Sequence, residues 1–190
     1  MKVTVFCGAQ FGKDPQMASI AREIGHYLAK NHIELVYGGS LSGLMGEISE
    51  GVIENNGAVT GIYPLGLFAD ELPRTSGYGT YTSIFTDSMA ERKEQLIGLG
   101  DGYLVLPGGF GTLEELSQVL SSIAIGLIPS KPIGVLNIDG FYDGLQQVLN
   151  AFGEGQFANV QVLESVRFME DHEALVDYLI DEIGKEQMVG

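Results

Sequence analysis

Apolar and polar positions along the chain switch between two periods from one end to the other. Runs rich in β-branched and aromatic residues occur at Val3–Cys7, Glu34–Tyr37, Val59–Tyr63, Ser83–Phe85, Tyr103–Leu106 and Ile133–Leu136, with a weaker one at Val166–Met169. Each predicts a strand. The first segment between them opens with Asp14-Pro15, a capping residue followed by proline at the first helical position. It then places Met17, Ile20, Ala21, Ile24 and Leu28 three and four residues apart, the stripe of a helix with one buried face. Further helices are predicted from Gly43 to a stop at Gly57, from near Ser88, from Thr112, from near Phe141 and over Asp171–Ile183. Strands that are apolar throughout and separated by helices predict a mostly parallel sheet covered on both faces. The expected fold class is therefore α/β, a single doubly wound (Rossmann-like) domain over residues 1–190, with no linker, repeat or low-complexity tract. In such sheets ligands bind beyond the carboxyl ends of the strands, and the chemistry is to be sought in those loops.

Composition narrows this reading. A chain of 190 residues, 45% apolar and 18% charged, can bury about 70% of its unfolded surface without a metal or disulfide staple. The formal net charge of −15 repels phosphate backbones and anionic lipid, so neither nucleic acid nor a membrane surface is the expected partner. An anionic small molecule stays open, because a few amides and one or two cations can dominate a site locally. The single cysteine, Cys7, forms no intrachain disulfide and fits a reducing compartment. The longest mostly apolar stretch, Val119–Ile128, is too short to span a bilayer. With a strand-like start and no signal-peptide layout, the expected location is cytoplasmic. His26, His32 and His172 lack metal-ligand spacing, so no metal is expected.

Glycine accounts for 27 residues, about twice its usual share of ~7%, and it gathers at predicted strand ends. The loops are Cys7-Gly8-Ala9, Tyr37-Gly38-Gly39-Ser40, Pro64-Leu65-Gly66 and Pro107-Gly108-Gly109-Phe110-Gly111-Thr112. In the last of these, residues without a Cβ let backbone N–H groups approach an anion while the next helix presents its positive end. Gly109, Gly111 and Thr112 thus form a candidate phosphate cradle, the bland reading being a tight strand-to-helix turn. No Gly-Lys-Ser/Thr follows, and the first turn, Gly8-Ala9-Gln10-Phe11-Gly12, does not fit G-x-G-x-x-G, so a dinucleotide site is disfavoured. Thr112-Leu113-Glu114-Glu115 and Ser88-Met89-Ala90-Glu91 both read as capping boxes. Capping by itself accounts for a glutamate at 115. Arg92-Lys93, however, stands in the first turn of its helix, where the dipole opposes cations, and an anionic ligand would explain that placement.

The motifs together resemble the LOG (LONELY GUY) family of nucleotide 5′-monophosphate phosphoribohydrolases, proteins often labelled lysine decarboxylases. The family signature PGG-x-GT-x-x-E stands here as Pro107–Glu115, its R-K pair as Arg92-Lys93 in the family's register, and its YGGG-x-x-GLMG segment as Tyr37–Gly46. Phe6-Cys7-Gly8 and Lys131–Asn137 also match family stretches, and the likeness covers about residues 2–150. It implies an enzyme that cleaves the N-glycosidic bond of a (possibly N6-prenylated) adenosine 5′-monophosphate, as in cytokinin biosynthesis. Arg92 and Glu115 are implied as catalytic residues. Contacts to a nucleoside monophosphate are implied for Gly8, Gly38, Gly39, Met89, Lys93, Gly108, Gly109, Phe110, Gly111, Thr112, Leu113, Glu114 and Ser121, with Lys93 and the Gly109–Thr112 amides on the phosphate. No cofactor and no metal are implied, and the family habit is a homodimer.

The chain departs from that pattern in places. Ser88 and Ala90 stand where relatives commonly carry Asp and His, Ser40 replaces a glycine, and Ser121 stands where plant members tend to have threonine. Around Asp70–Tyr81, where plant members place a ligand-contacting Glu, the nearest registers give Arg74 or Glu71. Decarboxylation through a Schiff base has Lys93 as its one motif-placed lysine, with nothing around it that forms a pyridoxal site. The competing reading is a nucleotide or molybdenum-cofactor carrier using the same sheet and glycine loop without turnover. The retained Arg92 and Glu115, which a carrier has no physical need to keep, separate the two.

Overall fold

A computed structural model of the protein describes residues 1–66 and 80–189, with side chains to Lys185. Seven strands, β1 (Lys2–Phe6), β2 (Glu34–Tyr37), β3 (Ala58–Pro64), β4 (Thr80–Thr86), β5 (Gly102–Val105), β6 (Ile133–Leu136) and β7 (Val166–Met169), form one sheet. Its order is β4-β3-β2-β1-β5-β6-β7, and every pairing is parallel. The helices are α1 (Gln16–Lys30), α2 (Gly43–Glu54), α3 (Met89–Leu99), α4 (Phe110–Ala124), α5 (Asp143–Glu154), α6 (Val160–Glu164) and α7 (His172–Val189), with a 3-10 turn at Ile138–Gly140 before α5.

Side-chain alternation along the strands divides the core in two. Val3, Val5 and Leu35 face α1, α2 and α7, packing with Ile24, Leu28, Ile48, Val52, Leu175 and Leu179. Phe6, Val36, Ile62, Tyr103 and Val105 face the other way, onto Leu96 and Ile97 of α3 and Leu116 and Val119 of α4. Each fully buried Leu, Ile or Phe of these layers contributes about 1.5–3 kcal/mol by removal from water. Helices thus cover both faces of a parallel sheet, as the apolar strand runs predict. The edge strand β4 is the exception, exposed at Thr80, Thr82 and Phe85.

The chain winds outward from β1 through β2, β3 and β4, then returns to lay β5 on the opposite side of β1. The sheet therefore has its switch point between β1 and β5, where the loops beyond the two carboxyl ends diverge and leave a crevice. Those loops are laced together by the Gly8 amide, which donates to Pro107 O at 3.1 Å, and the Leu44 amide, which donates to Gly8 O at 3.1 Å.

Local differences from the sequence reading have identifiable causes. Pro15 already has helical angles, and the Asp14 carboxylate accepts from the Gln16 amide at 2.9 Å, as a proline-started helix requires. In α1 the stripe is buried at Met17, Ala21, Ile24 and Leu28, while Ile20 is half-buried beside it. The α4 expectation is corrected: the helix starts at Phe110 with Gly109 as its cap, and Thr112 caps nothing. The cap thus lies three residues before the position a hydroxyl cap at Thr112 sets, and the Gly109 carbonyl accepts the first helical bond, from the Leu113 amide at 3.1 Å. Helix α6 was not expected; five residues carry too short a stripe to announce it. Arg74 and Glu71, the candidates around Asp70–Tyr81, lie outside the described residues. Among the described residues, no helix is long and apolar enough to cross a membrane.

Candidate active site

The crevice holds a cavity of about 830 Å³. It is bounded by the loops after β1, β2, β5 and β6 and by the first turns of α3 and α4. Each wall follows from local sequence. On α3, the Ser88 hydroxyl accepts from the Glu91 amide at 3.1 Å, and the Glu91 carboxylate accepts from the Asp87 amide at 2.8 Å. This capping arrangement fixes the helix start and turns Arg92, one turn in, toward the sheet. On α4, the amides of Phe110, Gly111 and Thr112 precede the first intrahelical bond and have no acceptor within the helix. Gly109, Gly111 and Thr112 line the cavity, so that positive helix end opens onto it.

Arg92 is buried, at 8% exposure, which is unusual for an arginine. Its Nε donates to Ile62 O at 3.1 Å and its Nη2 to Gly38 O at 3.0 Å, two backbone carbonyls at the ends of β3 and β2. Gly38 is required there, because a Cβ would overlap the guanidinium. The remaining Nη1 stands 3.6 Å from Glu115 Oε1 of α4. Two helix starts, separated in sequence by a helix, a strand and a loop, thereby bring a guanidinium and a carboxyl group together at one cavity.

Burial pushes the Glu115 carboxyl up to about 7, and Arg92 opposes that shift without overcoming it. Glu114 raises it further and Lys93 lowers it, both more weakly. Loss of solvent thus outweighs an ion pair at 3.6 Å. The carboxyl is poised to exchange a proton near neutrality, the range suited to a general acid or base. Cys7, buried at the end of β1 and lining the same cavity, has its thiol pushed well up by burial and by the charge of Glu115. It is a neutral neighbour.

Of the residues expected at the site, Gly8, Gly38, Met89, Arg92, Gly108, Gly109, Gly111, Thr112 and Glu115 line the cavity. Gly39, Lys93, Phe110, Leu113, Glu114 and Ser121 do not line it. Helical phase is the reason on α4. Gly111, Thr112 and Glu115 share the inward face, whereas Phe110, Leu113, Glu114 and Ser121 are exposed on the outer one. Lys93 turns outward from Arg92, and its Nζ donates to Glu114 Oε1 at 2.6 Å. Gly39 is tucked beneath the turn, against the Tyr63 ring.

The sequence reading missed a further set of lining residues. Gln10, Phe11 and Lys13 come from the β1–α1 connection and Met17 from α1, Ser40 from the loop after β2, Leu44 and Met45 from the start of α2, and Ile138, Asp139 and Phe141 from the segment after β6. The available signal was position alone, since each group follows a strand on the same sheet edge. Among the described residues, no cluster of three His, Cys, Asp or Glu side chains could hold a metal ion.

Known proteins resemble this chain in sequence and in fold. The family model described as possible lysine decarboxylase matches residues 45–179. A probable cytokinin riboside 5′-monophosphate phosphoribohydrolase of Oryza sativa subsp. japonica is 40% identical over 144 residues, covering 76% of this chain and 62% of that one. A cytokinin riboside 5′-monophosphate phosphoribohydrolase of Arabidopsis thaliana is 39% identical over 144 residues, 76% of this chain and 66% of its own. The matched part thus spans less than two thirds of either relative. In structure, the Moco carrier protein of Chlamydomonas reinhardtii shares the fold with a TM-score of 0.71 at 18% identity, covering 97% of this chain and 98% of that one.

Proposed function

The chain belongs to the LOG family, whose model carries the description possible lysine decarboxylase, and on that premise we propose that it hydrolyses the N-glycosidic bond of a nucleoside 5′-monophosphate. The products are the free base and ribose 5-phosphate. Adenosine monophosphate, or its N6-prenylated form as the relatives' names suggest, is the proposed substrate. The observation that carries this reading is the meeting of Arg92 and Glu115 in the cavity, beside the open amides of α4.

The chemistry follows from that arrangement. Cleavage passes through an oxocarbenium-like sugar, so positive charge develops at the anomeric carbon while electrons move to the departing base. The phosphate rests on the Gly109–Thr112 helix end, which needs no lysine. Ionised Glu115 stabilises the developing cation and takes a proton from the attacking water. Arg92, held on two sides by carbonyls, keeps the carboxylate oriented and offers Nη1 to a sugar hydroxyl. The leaving base takes up a proton from solvent as the bond breaks, and Glu115 afterwards returns the proton it accepted to solvent. Lys93 points away from the cavity and is paired with Glu114, which gives no support to Schiff-base chemistry by that residue. A homodimer in the cytoplasm remains part of the proposal, with exposed apolar residues of α4 such as Phe110 and Leu113 available for the contact.

Incubating the protein with AMP and separating the products by chromatography tests the reading. Stoichiometric adenine and ribose 5-phosphate are expected, with both lost in Glu115→Ala and Arg92→Ala. Binding of AMP without base release overturns the enzyme and favours a carrier of the same fold.

A further inference from the structure

Behind the site, the core contains a polar cluster that the reaction does not touch. Tyr37 at the end of β2 is fully buried, Tyr63 of β3 nearly so, and Tyr81 of β4 half-buried. Their hydroxyls meet. Tyr37 Oη donates to Gly39 O at 3.3 Å and lies 3.1 Å from Tyr81 Oη, and Tyr81 Oη shares a short hydrogen bond with Tyr63 Oη. Each phenol has one proton to give, and a carbonyl has none. With the Tyr37 proton committed to Gly39 O, Tyr81 must donate to Tyr37, and Tyr63 to Tyr81. The nearby Ser49 hydroxyl gives its proton to Gly46 O at 2.9 Å. The cluster is therefore a directed chain from Tyr63 through Tyr81 to Tyr37 and Gly39. Burial raises the Tyr37 phenol to about 12 and the Tyr81 phenol still further, so the chain is uncharged at neutral pH.

Phenylalanine would fill the same volume without the cost of desolvating three hydroxyls, which directs attention to where the chain ends. Gly39 has φ +84°, and a Cβ there would come within 2.6 Å of the Tyr63 ring. It is joined to Gly38, whose carbonyl holds Arg92 Nη2, and Tyr63 is joined to Ile62, whose carbonyl holds Arg92 Nε. Both backbone acceptors of the guanidinium thus belong to residues bonded directly to a member of the chain or to its terminus. We infer that the Tyr63–Tyr81–Tyr37 chain is a positioning device that fixes the Gly38–Gly39 turn and, through it, sets the Arg92 guanidinium opposite Glu115. The inference rests on the reading of Arg92 and Glu115 as the reacting pair.

The test uses the full chain with Tyr37→Phe and Tyr81→Phe, reading the Glu115 carboxyl by ¹³C NMR titration, kcat and KM for AMP, and Tm. Glu115 faces Arg92 and Lys93 from α3, Glu114 on α4 and the Cys7 thiol from β1. None of the tyrosine contacts above involves Lys93, Glu114 or Cys7, so a change reaching Glu115 comes through Arg92. In Tyr37→Phe the carboxyl titrates at higher pH than in the parent, and kcat falls about tenfold with KM within about twofold. Tyr81→Phe leaves the Tyr37 donation in place and shows the same changes more weakly. In an Arg92→Met background, Tyr37→Phe no longer moves the titration, the non-additivity expected of coupled groups. A lowered Tm with an unmoved Glu115 titration overturns the inference and leaves the chain as a staple between strands. Should Tyr37→Phe fail to fold, the Glu115 titration of Tyr81→Phe decides by the same criterion. Should AMP not be hydrolysed at all, the functional reading fails, while the carboxyl titration still decides whether the tyrosines place Arg92.

Discussion

On one side of the cavity, Arg92 is buried against two backbone carbonyls and faces Glu115 across 3.6 Å. On the other, Phe11 and Phe141 stand 49% and 55% exposed on the loops after β1 and β6. The first wall is built on helix starts whose caps and close backbone contacts leave little freedom, and it sets the guanidinium against the carboxyl group. The second is built on strand-to-helix connections, and it sets its two rings beside Lys13, Asp14 and Asp139. A site that must hold reacting atoms to within a fraction of an ångström needs the first kind of wall. One that must admit a planar base can use the second. The proposed chemistry thus rests on the first wall and the proposed contact with the base on the second.

The comparison breaks most sharply at the pair itself. Glu115→Gln and Arg92→Ala should each lower turnover of AMP by about 10²-fold or more, while circular dichroism stays that of the parent; near-normal turnover in both removes the rigid wall from the reaction. Gly38→Ala inserts a methyl group into the space of the guanidinium and should cut kcat by about tenfold, with little effect on KM. The second wall should respond in the opposite sense. Phe141→Ala and Phe11→Ala are expected to raise KM by roughly tenfold if their rings stack on the base, leaving kcat near the parent value. A kcat effect from either ring would erase the division of labour.

Glu115 also sharpens the contrast through pH. Its folded value, about 7, lies above that of an unfolded glutamate, so the native state binds more protons than the unfolded one between those values. Stability therefore falls as pH rises from about 4.5 to about 7, whereas the proposed base release is expected to rise over the upper part of that range as the carboxylate forms. Glu115→Gln should remove the loss, gaining about 1–3 kcal/mol at pH 8 and little at pH 4, as read by urea unfolding. The smallest effect belongs to Lys93→Met. Its ion pair with Glu114 is partly exposed and contributes under about 1 kcal/mol, and AMP turnover should stay within a few-fold of the parent.

Strand and helix periods were written plainly enough in the sequence to give all seven strands and the parallel sheet, because runs such as Val3–Cys7 and Ile133–Leu136 are buried on both faces and carry no competing pattern. Motif spacing also carried Arg92 and Glu115. It also placed their neighbours Lys93 and Glu114 on the substrate, whereas these two lie about 100° around their helices from Arg92 and Glu115 and pair with each other outside the cavity lining. The capping-box pattern at Thr112 misled because the helix starts at Phe110 without a side-chain cap, and side-chain rules for caps do not register such a start. The second wall and the tyrosine chain left only faint traces, since their members are far apart along the chain and ordinary in type.

The order of apolar runs and glycine turns, taken alone, determined the sheet and the edge at which a ligand is expected, and the resemblance of its motifs to a known family pointed to Arg92 and Glu115. Those features depend on local periodicity and on backbone geometry that neighbouring residues dictate. Tertiary structure decided the rest: that desolvation leaves Glu115 near neutrality despite its arginine, that Arg92 is gripped by carbonyls from two strands, and that three hydroxyls line up behind the turn between them. Burial and distance are properties of how separate segments pack, and no single segment contains them.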